Sequence, residues 1–97
     1  MIRVIYRWVL EPSIADEFAA WWHERTLDIR STQPGAMGST LLRSRDGMEY
    51  VGVARWASEA DLAAFRQAMG SITFAGADLV SMEILDEVDD LTVDPAD

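Results

Sequence analysis

Ninety-seven residues with 17 acidic and 8 basic side chains, a formal charge of −9, leave room for one domain and repel phosphate backbones, and the basic residues form no stripe that nucleic acid would need. With no cysteine there is no disulfide, no thiolate nucleophile and no zinc–thiolate site, which fits a reducing, cytoplasmic setting. An apolar share of 49% with four Trp exceeds what a lone chain of this size needs for its core, so part of that surface is expected to serve a partner or ligand.

Residues 2 to 10 alternate, with Val4, Tyr6 and Trp8 on one side and Arg3, Ile5, Arg7 and Val9 on the other, which reads as a strand with both faces occupied. This start lacks the apolar stretch and cleavage site of a signal peptide, and no run approaches the ~20 apolar residues of a membrane span. Pro12 ends the strand, and Ser13 is expected to cap a helix whose first turn carries Asp16 and Glu17. Ile14, Phe18, Trp21, Trp22, Arg25 and Ile29 then recur at helical spacing, drawing one stripe suited to lie on a sheet.

Gln33, Pro34 and Gly35 break that helix near Ser31. Residues 36 to 45 and 48 to 56 read as two strands joined through Asp46-Gly47, a strong hairpin signal, and are expected to be antiparallel neighbours. Ser58 caps a second helix with Glu59 and Asp61 in its first turn and Leu62, Phe65 and Met69 as its buried stripe, ending at Gly70. Residues 71 to 77 are expected to form a loop or short extra turn, and a last strand to run from about Leu79 to Val88. The order β-α-β-β-α-β predicts an α+β, ferredoxin-like antiparallel sheet with two helices on one face. Residues 1–90 are expected to form the domain and 91–97 an acidic tail, with Asp86, Glu87, Asp89, Asp90, Asp94 and Asp97 belonging to a solvated, partly frayed end.

The helices can cover Val4, Tyr6, Trp8, Tyr50, Trp56, Met82 and Ile84. The opposite face then holds Ile5, Val9, Leu41, Val51, Val53 and Leu85, interspersed with Arg3, Arg7, Arg43, Glu49, Arg55, Glu83 and Glu87. Exposing six such aliphatics at ~25 cal/mol per Å2 would cost several kcal/mol. A homodimer through this face is therefore expected, with opposite charges pairing across a twofold axis.

The opening strand running into Glu11-Pro12-Ser13, the Pro34-Gly35-Ala36 step, and Trp56-Ala57-Ser58-Glu59 followed by Ala64-Phe65 resemble the antibiotic biosynthesis monooxygenase family of the dimeric α+β barrel superfamily, over roughly residues 2 to 88. The resemblance implies a homodimer, a cavity between sheet and helices and, in oxygenase members, cofactor-independent oxidation of phenolic, quinol or polyketide-like molecules by molecular oxygen. Haem-degrading relatives require an Asn on the first strand and a Trp and a His ten residues apart around the second helix. Tyr6, Phe65 and Ala75 stand at those positions, so haem degradation is not expected.

His23 is the one histidine and the first candidate for a general base, although its place on the first helix could turn it partly to solvent. With Tyr6 and Trp56 it forms the expected catalytic set, and Trp8, Trp22, Tyr50, Phe65 and Arg55 are the expected substrate-binding residues. No metal and no cofactor is implied. Gly52 and Ala54, small residues of one parity on the third strand, either open a pocket or receive the bulk of Trp21 or Trp22. Arg25 is a further candidate donor. Two other functions stay open: a non-catalytic small-molecule-binding or stress-associated dimer, and a non-redox cyclase or isomerase using His23 and a carboxylate.

Overall fold

The computed structural model describes residues 1–70 and 72–92. In chain order its elements are β1 (Ile2–Leu10), a 3-10 turn (Pro12–Ile14), α1 (Ala15–Thr32), β2 (Ala36–Arg43), β3 (Glu49–Trp56), α2 (Glu59–Met69) and β4 (Ala77–Asp86). The four strands form one antiparallel sheet in the order β2-β3-β1-β4. This is the β-α-β-β-α-β ferredoxin-like arrangement, and no helix among the described residues is long and apolar enough to cross a membrane.

Strand β1 is central, and its alternation is complete: Ile2, Val4, Tyr6, Trp8 and Leu10 are all buried beneath the helices. Pro12 is tolerated in the first turn because the missing N–H has no partner there in any case. Ser13 lies inside the 3-10 turn and caps nothing; the Ile14 N–H bonds the Glu11 carbonyl instead. Helix α1 presses Phe18 and Trp22 onto the sheet, while Ser58 caps α2 as its sequence implies, its hydroxyl accepting from the Asp61 N–H at 3.1 Å. Leu62 and Phe65 are buried under α2, but Met69 at its last turn is 41% exposed, so the buried stripe stops one turn early.

Gly35 turns the chain between α1 and β2 with φ of 81°, and any side chain there would collide with Asp61 at the start of α2. One extra residue in β2, between the partners Ala36↔Trp56 and Ser39↔Ala54, forms a bulge around Gly38. That bulge reverses the side-chain parity of the rest of the strand. Leu41 consequently opposes Gly52 and Arg43 opposes Tyr50, both on the helix-covered side, and Leu42 takes the place on the open face where Leu41 was expected. A second irregularity, between the partners of Arg7 and Trp8, leaves Val80 unpaired on β4.

The open face carries Ile5, Val9, Leu42, Val51, Val53 and Leu85, with Val9, Leu42 and Leu85 exposed. Its charges pair within the chain: Arg7 with Glu49 at 3.1 Å, and Arg3 and Arg55 both with Glu87 and Asp90 at 3.1 to 3.5 Å. The segment after β4 is thereby drawn across one end of the face. Glu87 and Asp90 are not solvated acids, since their side chains retain only 9% and 11% exposure. Asp90 is further held by the Thr92 hydroxyl and N–H, and with the two guanidiniums these keep its carboxyl below the usual aspartate value. Ser71, and the tail acids Asp94 and Asp97, lie outside the described residues.

Candidate active site

Between the helices and the sheet, aromatic side chains fill one end and leave a cleft at the other. At the filled end Trp8 meets Phe18 at 5.4 Å between ring centroids, Phe18 meets Tyr50 at 5.5 Å, and Phe74 closes on Phe18 and Trp21 from the loop before β4. These geometries are tilted or edge-on, as aromatic quadrupoles prefer. Trp8 is 1% exposed and its indole Nε1 has no hydrogen-bond partner among the described residues.

The cleft begins one step along β1, at Tyr6. Trp22 packs edge-on to Tyr6 at 6.0 Å on one side, and Trp56 and Phe65 pair at 5.2 Å on another. The two possible uses of the small residues on β3 are divided between them. Gly52 receives Trp22, whose ring would overlap a Cβ built there, whereas Ala54 lines the cleft. The inner part has a volume of about 40 Å3, and an outer recess formed by α2, Gly70, Ile72, Leu79 and Met82 has about 480 Å3. Tyr6, Phe65 and Ile72 belong to both, so the two spaces share a wall. The outer recess alone is within the size range of small-ligand sites.

Helix α1 brings Trp22, Arg25, Thr26, Ile29 and Arg30 to the inner cleft, a spacing of three and four residues that makes them one stripe. The Trp22 indole N–H donates to Ser39 Oγ at 2.9 Å, and Ser39 Oγ shares a second hydrogen bond of 2.9 Å with Thr26 Oγ1. Ser39 points inward because of the bulge at Gly38. Burial raises the Tyr6 hydroxyl above the ordinary tyrosine value, an effect that the nearby Arg66 guanidinium partly offsets. Tyr6 is thus a neutral donor through the physiological range.

Of the residues singled out from the sequence, Tyr6, Trp22, Trp56 and Phe65 come together on the inner cleft. Arg55 sits in its wall, but the guanidinium is on the other side of the sheet, bound to Glu87. Trp8 and Tyr50 belong to the filled end. His23 is exposed and lines neither part of the cleft but a neighbouring groove with Leu27 and Leu41, which shares Trp22, Thr26, Arg30 and Ser39 with the inner cleft. Thr26, Arg30, Ser39 and Arg66 were not anticipated; for the two on α1, continuing the stripe from Trp22 would have found them. The described residues contain no group of three His, Cys, Asp or Glu placed to hold a metal ion.

The profile of the antibiotic biosynthesis monooxygenase family matches residues 1–75 of the chain. The chain belongs to this family. No curated protein matches its sequence, but solved structures share the fold across nearly their whole length. The haem degrader MhuD from Mycobacterium tuberculosis, solved with two haems in its active site, is 20% identical with a TM-score of 0.71, covering 94% of this chain and 99% of that one. SnoaB, a cofactor-independent oxygenase from Streptomyces nogalater, is 22% identical with a TM-score of 0.64, covering 95% and 97%. A protein from Deinococcus radiodurans assigned to the antibiotic biosynthesis monooxygenases is 7% identical with a TM-score of 0.73, covering 96% and 98%. At these identities the likeness is one of fold alone.

Proposed function

We propose that this antibiotic biosynthesis monooxygenase family member is a cofactor-independent oxygenase for an aromatic phenol, quinol or polyketide-like molecule, with the cleft beside Tyr6 as its active site. The observation that carries the reading is the Tyr6 hydroxyl: buried, neutral, engaged in no hydrogen bond among the described residues, and set among Trp22, Trp56 and Phe65. Oxygenation without a cofactor needs a substrate that ionises to an electron-rich anion, walls that exclude water, and a donor that holds the anion near oxygen. Trp22, Trp56 and Phe65 supply the walls. Tyr6 donates to the substrate oxygen, and Arg66 adds positive charge nearby.

For a substrate CH2 group flanked by aromatic rings, loss of a proton gives the anion, and oxygen adds to the carbon. One oxygen atom ends as the product carbonyl, and the other leaves as water with the two hydrogens of the substrate carbon. Among the described residues no carboxylate or imidazole lines the cleft, so in this reading the proton leaves to solvent rather than to a base there. His23 and a carboxylate, the pair a cyclase or isomerase would draw on, are not brought together there. Haem degradation is left aside because Tyr6 and Phe65 occupy the cleft positions at which Asn and Trp are required and no histidine lines it.

The working unit in this reading is a homodimer through the open sheet face, where Ile5, Val51 and Val53 lie between intrachain ion pairs. Val53→Asp would place an unpaired charge in that contact and convert dimer to single chains in sedimentation at micromolar concentration. Oxygen uptake with an anthrone and quinol panel tests the activity: uptake lost in Trp56→Phe and Tyr6→Phe supports it, and uptake by none of the panel removes it. A binding protein without catalysis is the second reading, favoured by the absence of any base in the cleft.

A further inference from the structure

The cleft's charge runs against that of the chain. Seventeen of the 97 residues are acidic, yet among the described residues none of them lines the inner cleft or the outer recess. The cations there are Arg25 and Arg30 on the inner cleft and Arg66 on the recess, the Arg55 guanidinium being turned away. Arg3, Arg7 and Arg55 each have a carboxylate oxygen within 4.0 Å; among the described residues Arg25, Arg30 and Arg66 have none. In a chain with two acids for every base, three arginines around one cavity have no carboxylate beside them among the described residues.

Hydrogen-bond accounting adds a second, independent observation. The Trp22 indole and the Ser39 and Thr26 hydroxyls carry three donor hydrogens, and these feed two hydrogen bonds. One hydroxyl hydrogen is therefore left over, on Thr26 or on Ser39, and both residues face the inner cleft. Arg30 lies beside them over Gly38, its Cδ 3.6 Å from where a Gly38 Cβ would stand. On its inner-cleft side the group has donors and positive charge and, among the described residues, no lining carboxylate or imidazole; on its other side the same residues border the groove beside His23.

Resting on the reading of this cleft as the substrate site, we propose that it binds an aromatic carboxylate, with the acid seated in the inner cleft between Arg25, Arg30 and the Thr26–Ser39 hydroxyls and the rings passing Tyr6 and Phe65 into the outer recess. Guanidinium forks match a carboxylate in geometry and lose less to hydration than an ammonium would. An acid at this end leaves a phenolic or carbon-acid group free to reach Tyr6 and Arg66, so that one molecule spans both poles. Such a substrate is already charged on arrival and needs no base to be recognised.

The test compares 2-naphthoate with its isosteric neutral amide, 2-naphthamide, by calorimetric titration of the intact protein. The acid should bind on the order of tenfold more tightly at low salt, with the preference shrinking as salt rises. Arg30→Gln, at an exposed position, should reduce the preference, Arg25→Gln/Arg30→Gln should abolish it, and Arg66→Gln should leave it in place. Equal or tighter binding of the amide, a preference that survives in the double variant, loss of it in Arg66→Gln, or binding of neither probe would each overturn the assignment. Oxygen uptake is read separately: naphthoate preference without uptake removes oxygenation alone, and uptake without naphthoate preference removes the carboxylate site alone.

Discussion

Tyr6 and Trp8 stand two residues apart on the same side of β1, yet Trp8 is sealed in a closed aromatic cluster and Tyr6 opens on a cleft. The backbone, the strand and the covering helix are the same at both. The difference lies in the volumes stacked on β3 opposite them: Tyr50 faces Trp8, Gly52 admits Trp22, and Ala54 beyond it lines the cleft. Phe18 and Phe74 complete the filled end, whereas at the other Trp56 and Phe65 stand as walls and leave the space beside Ala54 open. A domain layer closes where large side chains interdigitate and stays hollow where small ones fail to reach across.

The strongest way to sharpen the contrast is to hollow out the filled end. Phe18 is fully buried and touches Trp8, Trp21, Trp22, Tyr50 and Phe74, so Phe18→Ala should cost about 3–5 kcal/mol in denaturant unfolding, a large part of a small domain's stability. At the hollow end the corresponding loss should be functional. Tyr6→Phe removes a donor with no partner in the protein; oxygenation should fall about a hundredfold while stability shifts by less than about 1 kcal/mol. The same hydroxyl predicts a pH effect. Because its folded pKa is raised, its contribution to stability is present below the ordinary value of 10.0 and is lost as pH rises through the higher folded value, visible as alkaline unfolding that weakens in Tyr6→Phe.

A paired substitution on β3 tests the role of volume directly. Gly52→Ala would force a methyl group into the Trp22 ring and should destabilise by about 1–3 kcal/mol. Ala54→Leu has the cleft to grow into, so it should cost less in stability and weaken ligand binding more. If Ala54→Leu proved the more destabilising of the two, the cleft would be narrower than its walls imply. The smallest effect belongs to His23→Ala, at an exposed position outside the cleft: stability should stay within about 0.5 kcal/mol, and oxygen uptake should be unchanged.

Much of this architecture was legible in local chemistry. The alternation in β1, the Asp46-Gly47 turn, the Ser58 cap and the stop at Gly70 each follow from a few neighbouring residues. Asp46 accepts from both the Ser44 hydroxyl and the Met48 N–H, which makes the turn self-supporting. What was not legible depended on long-range register. The bulge at Gly38 turned Leu41 and Arg43 to the helix side and Ser39 into the cleft, and no pattern within β2 announces one extra residue. The pairing of Glu87 and Asp90 with Arg3 and Arg55 joins groups more than thirty residues apart along the chain, so charge along the tail alone reads as solvated. Parity did place Arg55 on the open face; its candidacy for the cleft ignored that direction.

The central claim is that the space beside Tyr6 receives an aromatic ligand, and a crystal structure with 2-naphthoate tests it most directly. The account predicts density for the rings against Tyr6 and Phe65 in the outer recess, with the carboxylate toward Arg25 and Arg30. Naphthoate on the open sheet face or in the groove beside His23, with Trp22 and Trp56 unmoved and the cleft empty, would contradict it.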